Sequence, residues 1–175
     1  MEPRPKMKAV RKNHESSESA LDFSAVHVRD SGVEGRGTYA ARDINAGEFV
    51  LPLTGALVPT SVVDAPDYDR MALQIDDGWW LEERGFADDF INHSCDPNLK
   101  FSEQGNSFVA LRSIKKGEEL FFDYATSVYD GGWSVVCQCN SENCRGTIMG
   151  YQDLNSDIQI RLLENCLPFI RKKHG

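Results

Sequence analysis

The chain has 175 residues and a formal net charge of −8 at pH 7, enough length for one domain with a hydrophobic core. The acidic balance makes nucleic acid a poor partner and a basic protein or lysine-rich peptide a better one. The sequence contains no run of 18 apolar residues, so we expect no membrane span. The polar start of the chain lacks the apolar stretch of a secretory signal, so we expect an intracellular protein in a reducing compartment, cytoplasmic or nuclear.

The first 20 residues carry almost no apolar pattern. Their cationic side chains repel one another, which favours a disordered N-terminal tail. These side chains are Arg4, Lys6, Lys8, Arg11 and Lys12.

From Phe23 onward the pattern changes to short apolar runs separated by Gly, Asp, Asn and Pro. Such runs predict β-strands. The runs are "FSAVHV", "EFVLPL", "MALQI", "WWLE", "SFVALR" and "LFFDY". No amphipathic segment of helical length precedes residue 150, and "ADDFINH" predicts only one or two helical turns.

The segment after residue 150 predicts a C-terminal helix. Ser156 and Gln159 have the spacing of a capping box, and apolar residues follow at roughly helical spacing. Pro168 is expected to end or kink this helix.

Acidic residues are concentrated between Asp64 and Asp89. Nine carboxyl side chains lie in this window and only Arg70 and Arg84 oppose them, which gives nine minus two, or seven, net negative charges. Either the window is an ordinary solvated surface, or it attracts a basic peptide.

Three cysteines, Cys137, Cys139 and Cys144, lie within eight residues. In a reducing compartment such clustering indicates a metal site rather than disulfides, and structural zinc takes four Cys or His ligands. Cys95 and His93 are the rival candidates for the fourth ligand. Cys166 lies on the apolar face of the predicted helix, where we expect it to be buried and inert.

Four motifs occur together in the order of a known family. They resemble the SET-domain protein lysine methyltransferases with a post-SET zinc segment, over about residues 23–148. The motifs are "GRGTYAARDINAGEFV", "FINHSCDPN", "ALRSIKKGEELFFDY" and "CQCNSENCRG".

The resemblance implies a mostly β fold of several small sheets with a pseudoknot, in which the N-H-S-C segment threads beside the D-Y segment. It implies a SET domain over residues 21–130 and a post-SET segment over 131–150, and the helical pattern described above predicts a helical extension over 151–175. It also implies methyl transfer from S-adenosylmethionine to a lysine amine of a basic protein such as a histone. We expect a monomer without direct contact to nucleic acid or membrane.

The resemblance also assigns roles to individual residues. Tyr124 is the implied catalytic phenol and a cofactor contact, and Phe122 lies in the implied substrate channel. The other implied cofactor contacts are Arg36, Gly37, Asn92 and His93. One structural zinc ion per chain is expected, with Cys95 as the fourth ligand beside Cys137, Cys139 and Cys144.

Three positions depart from the family pattern: Leu53, Ala56 and Asp89. They leave open a second interpretation, a non-catalytic module that keeps the fold and binds peptides. A third interpretation, methylation of a small amine or another non-lysine target, also remains open.

Overall fold

The structure is a computed structural model that describes residues 22–129 and 131–175. The predicted N-terminal tail lies outside the described residues. Within the described part of the chain, no helix is both long and apolar enough to cross a membrane.

Short strands and a few short helices form the described chain. The strands are β1 (Val26–Asp30), β2 (Arg36–Ala40), β3 (Phe49–Pro52), β4 (Ala56–Pro59), β5 (Ala72–Asp76), β6 (Trp79–Glu82), β7 (Asn92–His93), β8 (Leu99–Phe101), β9 (Ser107–Ala110), β10 (Phe121–Phe122), β11 (Ser134–Val136) and β12 (Thr147–Met149). The α-helices are α1 (Thr60–Val63), α2 (Ser156–Leu162) and α3 (Pro168–His174). Single 3-10 turns lie at Ala87–Phe90, Tyr124–Thr126, Tyr151–Asp153 and Leu163–Asn165.

The strands assemble into small sheets. Two sheets have three strands, in the orders β3-β9-β8 and β4-β6-β5, and the pairs β1-β2, β7-β10 and β11-β12 form two-stranded sheets. All pairings are antiparallel except that of β7 with β10. The mostly β fold implied by the resemblance is therefore confirmed. Each predicted strand run contains a strand, although the first begins only at Val26, because the amide of Val26 closes a turn on the carbonyl of Phe23.

The core lies between the β3-β9-β8 sheet and the C-terminal segment. Leu51, Phe101 and Phe108 come from the sheet, and Leu167 and Ile170 come from the region of α3; each is at most 1% exposed. Burial of a side chain of this size contributes about 1.5–3 kcal/mol. The C-terminal segment is therefore part of the core.

The C-terminal segment differs from its sequence-based prediction in two ways. Asn155, not Ser156, caps α2, because the Asn155 side chain accepts a hydrogen bond from the amide of Ile158 at 3.0 Å. Pro168 is the first residue of α3 rather than the end of a single helix. At this position its missing N–H costs nothing, since the first amides of a helix have no intrahelical partner.

Candidate active site and cysteine cluster

The N-H-S-C and F-D-Y motifs lie side by side. β7 pairs with β10 in parallel, with Asn92 opposite Phe121 and His93 opposite Phe122. The amide of Ser94 extends the pairing with a hydrogen bond to the carbonyl of Phe122 at 3.2 Å. This contact between two distant motifs is the one that the resemblance implied.

Tyr124 follows β10 directly and is partly buried at this junction. Its hydroxyl donates to the carbonyl of Ile91 at 3.1 Å, and its ring packs on Phe122 and His93 at centroid distances of 4.8 and 5.3 Å. Burial, and then the charge of Glu34, raise the pKa of this phenol above its ordinary value. Tyr124 is therefore a protonated phenol whose oxygen still has lone pairs to accept with.

Asn92 holds residues 34–37, called the glycine loop below, against the paired strands β7 and β10. Its amide nitrogen donates to the carbonyls of Arg36 and Glu34 at 3.0 and 3.2 Å and to the carboxylate of Glu119 at 3.1 Å. The asparagine side chain thus acts here as a brace between β7 and the start of β2.

Glu119 is a second residue that braces the glycine loop, and the sequence motifs did not predict this role. Besides Asn92, it accepts from the hydroxyls of Ser31 at 2.7 Å and Tyr39 at 2.8 Å. A Cβ atom at Gly37 would overlap the Glu119 carboxylate, so a larger residue here would have to displace that side chain from its place. The only sequence signal for Glu119 is its place in the G-E-E-L motif, which does not say what it binds.

Arg36 and Phe122 occupy different environments. The guanidinium of Arg36 stacks over the ring of Phe90, 4.3 Å from its centroid. Phe122 is only 5% exposed and packs against Phe101 and Phe108 as well as Tyr124. Phe122 therefore links the hydrophobic core to Tyr124, the candidate catalytic residue.

His93 connects Tyr124 to the cysteine cluster. Its Nδ1 accepts from the amide of Tyr124 at 3.1 Å, and its Nε2 lies 3.3 Å from the Sγ of Cys95. Burial lowers the pKa of His93 to about 4, against the opposing effect of Asp123. In a neutral imidazole whose Nδ1 accepts, the proton is on Nε2, so Nε2–H points at the cysteine sulfur.

Candidate metal ligands converge from two segments that are about 40 residues apart in the chain. Ligand atoms of His93, Cys95, Cys137 and Cys139 all lie within 4.8 Å of one another. The Cys95 and Cys137 sulfurs are 3.8 Å apart, close to the separation of about 3.8 Å that two sulfurs have at about 2.3 Å from a tetrahedral zinc ion. Cys144 is outside that group, although its thiol contacts Cys137.

Backbone amides point at three of the sulfurs. The amide of Arg145 donates to Cys95 at 3.4 Å, that of Cys95 to Cys139 at 3.5 Å, and that of Gly146 to Cys144 at 3.4 Å. Burial raises the pKa of Cys95 and Cys137, whereas for Cys139 the Cys95 amide and Ser141 outweigh burial and lower the pKa to about 6. Such donors stabilise thiolates, which is the form that binds zinc. The cluster therefore fits a structural zinc ion.

A buried ion pair joins the cysteine segment to F-D-Y. The guanidinium of Arg145 binds both oxygens of Asp123, at 2.5 and 2.7 Å, and the Asp123 side chain is fully buried. Sequence reasoning missed both residues, since only their adjacency to Tyr124 and Cys144 hinted at a role. Cys166 is elsewhere in the core and donates to the carbonyl of Leu162 at 3.3 Å, as expected for an inert cysteine.

The structure gives a local reason for two of the three departures from the family pattern. Asp89 accepts hydrogen bonds from the amides of Arg84, Gly85 and Phe86, at 2.6 to 3.1 Å, and so caps the 3-10 turn that leads to β7. Leu53 packs against the core. Nothing in the structure explains Ala56.

The acidic window is partly neutralised by its own contacts. Asp77 pairs with Lys173 at 2.7 Å and Glu82 with Arg70 at 2.6 Å. Asp88 accepts from the amide and the hydroxyl of Thr54. Asp67, Asp69 and Asp76 are exposed.

The SET-domain family model matches residues 35–125, which is 91 of the 175 residues. The chain belongs to the SET-domain family. It is 37% identical over 136 residues to the histone-lysine N-methyltransferase trithorax of Drosophila virilis, a match that spans 69% of this chain and 4% of that protein. It is 32% identical over 145 residues to the H3 lysine-36 specific histone-lysine N-methyltransferase of Eremothecium gossypii, over 74% of this chain and 21% of that protein.

Solved structures agree with this membership. A humanized mutant of the Chaetomium thermophilum Polycomb Repressive Complex 2, bound to the inhibitor GSK343, matches 59% of this SET-domain chain and 15% of its own chain. The TM-score is 0.52 and the sequence identity 32%. This chain thus spans a small part of the length of these relatives.

Proposed function

We propose that this SET-domain chain is a protein-lysine N-methyltransferase, which uses S-adenosylmethionine to methylate a lysine side chain in a basic protein such as a histone. The observation that carries the proposal is the parallel pairing of β7 with β10, which brings Asn92 and His93 beside Tyr124. Relatives named histone-lysine N-methyltransferase support it. Action on a histone would require the protein in the nucleus.

The chemistry requires a neutral lysine amine. A lysine at its ordinary pKa of about 10.4 is almost fully protonated at neutral pH and has no free lone pair. Burial in a narrow site disfavours that charge. When bound, S-adenosylmethionine supplies the methyl group on a positively charged sulfur, which disfavours the ammonium further.

The residues around Tyr124 orient the reaction rather than accept a proton. The raised pKa of Tyr124 keeps its phenol protonated, and both ring nitrogens of His93 are engaged, one by the Tyr124 amide and one by Cys95. We infer that the lysine proton leaves to water and that the Tyr124 oxygen helps to align the methyl group and the amine, a proximity effect.

The glycine loop is the proposed cofactor contact. Arg36 and Gly37 would meet the cofactor together with Asn92 and His93, chiefly through backbone groups. The hydrogen bonds of Asn92 to the carbonyls of Arg36 and Glu34 support this role, because they fix the loop relative to β7. Phe122 would limit how many methyl groups the substrate channel accommodates.

We propose Cys95, Cys137, Cys139 and Cys144 as the ligands of one structural zinc ion. The competing ligand, His93, belongs to the group of mutually close ligand atoms, with its Nε2 3.3 Å from the Cys95 sulfur, whereas Cys144 is outside that group. However, the Tyr124 amide occupies Nδ1, so Nε2 carries the proton and has no lone pair for a metal. His93 then serves as a hydrogen-bond donor to the Cys95 thiolate, and four thiolates leave no open position for catalysis.

A non-catalytic, peptide-binding SET module is the second candidate. Its signs were Leu53, Ala56 and Asp89, but the contacts of Asp89 with three amides give that residue a structural role in either case. Calorimetric titration with S-adenosylmethionine separates the two candidates, since a module that only binds peptides has no need of the cofactor.

The test of the proposed activity is incubation of the full chain with methyl-labelled S-adenosylmethionine and core histones. We expect label on lysine, located by mass spectrometry of the digested histones. Cofactor binding without transfer to any histone or lysate protein would favour the binding module. Label confined to small molecules would favour the small-amine interpretation.

A further inference from the structure

Three side chains from separate parts of the chain donate hydrogen bonds to the carboxylate of Glu119. Its Oε1 accepts from the hydroxyl of Ser31 at 2.7 Å and from the amide nitrogen of Asn92 at 3.1 Å. Its Oε2 accepts from the hydroxyl of Tyr39 at 2.8 Å. Hydrogen bonds to a charged acceptor are stronger than those between neutral groups. Glu119 therefore joins the hairpin of β1 and β2 to β7.

The Ser31 hydroxyl extends this contact into the turn before β2. While it donates to Glu119, its oxygen accepts from the amide of Val33 at 2.9 Å. The Ser31 amide donates to the carbonyl of Gly35, also at 2.9 Å. Gly35 has a φ of 50°, a left-handed conformation that glycine adopts without strain. The turn that leads into the glycine loop is thus fixed relative to Glu119.

Glu119 also contacts the far end of the glycine loop. Its carboxylate lies directly against the backbone of Gly37, where an added Cβ atom would overlap it. The amide nitrogen of Asn92 that donates to Glu119 also donates to the carbonyls of Glu34 and Arg36. The carboxylate therefore fixes the orientation of the Asn92 side chain and, through it, the position of the loop.

Tyr39 is a firmly placed donor. It is only 7% exposed, and the guanidinium of Arg29 stacks over its ring, 3.7 Å from the centroid. The backbone of Tyr39 also pairs with that of Glu119 in an isolated β-bridge. All three donors to Glu119 lie on the segments that carry or hold the glycine loop, and none of them belongs to the F-D-Y segment.

We propose that Glu119 is a positioning residue that sets the affinity of the site for S-adenosylmethionine, because it holds the glycine loop in the shape that receives the cofactor. This inference rests on the proposed function. Glu119 acts through Ser31, Gly37 and Asn92 and not on the reacting atoms. A loop that is ordered before binding loses less conformational entropy when its ligand arrives. Such preorganisation raises affinity without changing the chemical step.

The test compares the two adjacent carboxylates of the G-E-E-L motif. Calorimetric titration with S-adenosylmethionine should give a dissociation constant about tenfold or more higher for Glu119→Ala than for the wild type, the effect of one lost hydrogen bond to a charged group. KM for the cofactor should rise in parallel, while kcat at saturating cofactor should change little. Glu118→Ala is the matched control and should keep the wild-type affinity, because Glu118 pairs with Arg112 and accepts from the amide of Lys115.

Glu119→Gln tests whether hydrogen bonding rather than charge is what the loop requires. Its amide oxygen can accept from Ser31 and Asn92, and its amide nitrogen can donate to the hydroxyl of Tyr39. That hydroxyl can then donate to the carbonyl of Asp30, 3.2 Å away. We therefore expect Glu119→Gln to keep most of the affinity that Glu119→Ala loses.

Tyr39→Phe provides a second, milder variant that keeps the ring beneath Arg29 and removes one donor. It should weaken cofactor binding less than Glu119→Ala does. Combined with Glu119→Ala, it should weaken binding no further, since the two residues act through one contact. If Glu119→Ala fails to fold by denaturant unfolding, unchanged affinity in Tyr39→Phe would still reject the proposal.

Other outcomes would overturn the positioning role directly. These are unchanged cofactor affinity in Glu119→Ala, an equal loss in Glu118→Ala, or a fall in kcat without a change in affinity. A wild type that binds the cofactor and methylates histones while Glu119→Ala binds equally well would reject this role alone. A wild type that neither binds S-adenosylmethionine nor labels any protein would reject the proposed function as well.

Discussion

At the scale of the residue, Tyr124 directly follows β10, which pairs with β7, and it is the proposed catalytic residue. Its hydroxyl bonds to a backbone carbonyl, and its amide bonds to His93, whose other nitrogen faces Cys95. Two contacts, from the Tyr124 amide to His93 and from His93 to Cys95, therefore join Tyr124 to the proposed zinc site. This arrangement suggests that the cysteine cluster supports the position of Tyr124 without taking part in the reaction.

Replacement of Tyr124 by phenylalanine should remove most of the turnover. The ring and its packing on Phe122 and His93 remain, while the oxygen that we propose aligns the methyl group and the amine is lost. Loss of one such preorganised polar group typically lowers kcat by about 10²–10³-fold. We expect kcat to fall by this factor with little change in cofactor affinity, measured by steady-state kinetics and calorimetry. A variant that keeps more than about half of the wild-type kcat, far outside that range, would make Tyr124 a structural residue.

The zinc ligands can be distinguished by substitution. Cys95→Ser and Cys144→Ser should each lower the zinc content measured by metal analysis, because each removes a proposed thiolate ligand. His93→Gln should retain one zinc ion per chain, since a hydrogen-bond donor is lost rather than a ligand. Cys166→Ser is the control, as the Cys166 thiol is buried in the core and donates to the carbonyl of Leu162.

Two results would contradict this ligand set. Full zinc content in Cys144→Ser together with loss in His93→Gln would make His93 the fourth ligand. Equal loss of zinc in Cys166→Ser and Cys95→Ser would reject the assignment of Cys95.

At the scale of the element, the 3-10 turn Ala87–Phe90 connects the acidic window to the proposed active site. Asp89 caps the turn, and Asp88 ties it to the loop after β3 through Thr54. The hydroxyl of Thr38 on β2 donates to the carbonyl of Ala87 at 2.6 Å. This element therefore fixes how the window, the glycine loop and β7 lie relative to one another.

Asp88 should make the stability of the fold depend on pH. Burial, and then the neighbouring charge of Asp89, raise the pKa of Asp88 from 3.8 to about 6. Because the folded pKa is above the unfolded one, this contribution to stability is fully present below about pH 4 and is lost as the pH rises through about 6. The loss amounts to about 2–3 kcal/mol at most.

Asp88→Asn should remove that dependence, since its amide oxygen can still accept from Thr54. Denaturant unfolding between about pH 4.5 and 7.5 should show a flatter profile for Asp88→Asn than for the wild type. Asp67→Asn, which alters an exposed carboxyl, should keep the wild-type profile. Identical profiles for Asp88→Asn and the wild type would show that Asp88 titrates alike in the folded and unfolded chain.

At the scale of the whole molecule, charge is distributed unevenly. The window between Asp64 and Asp89 accounts for seven of the eight net negative charges. Asp77, Glu82, Asp88 and Asp89 are engaged in internal contacts, so we expect exposed carboxylates such as Asp67, Asp69 and Asp76 to steer a basic substrate.

Neutralisation of these three carboxylates by Asn should raise KM for a lysine-rich peptide and leave kcat unchanged. In the wild type, KM should rise as ionic strength increases from about 50 to 300 mM, because the Debye length falls from about 14 to about 6 Å. The neutralised variant should respond less to salt. A wild-type KM that does not change with salt would leave the window as an ordinary solvated surface.

The motifs predicted much of the site because they consist of contiguous residues with demanding chemistry. Three thiols within eight residues, and loops with glycine at fixed places, have few alternative explanations. Glu119 and Asp123 could not be assigned in this way. A carboxylate in a sequence shows no sign of its partners, and these two bind Tyr39 and Arg145, 80 and 22 residues away.

The sequence by itself determined the short strands and the cysteine cluster, since each depends on local pattern or composition, while the fold class and the candidate phenol came from the resemblance of its motifs to a known family. Only the tertiary structure decided that β7 pairs with β10 in parallel, that the C-terminal segment belongs to the core, and that Pro168 starts a helix. The tautomer of His93 was likewise decided by the Tyr124 amide, 31 residues away. These features arise from contacts between distant segments, which the burial of shared surface selects and which no local pattern encodes.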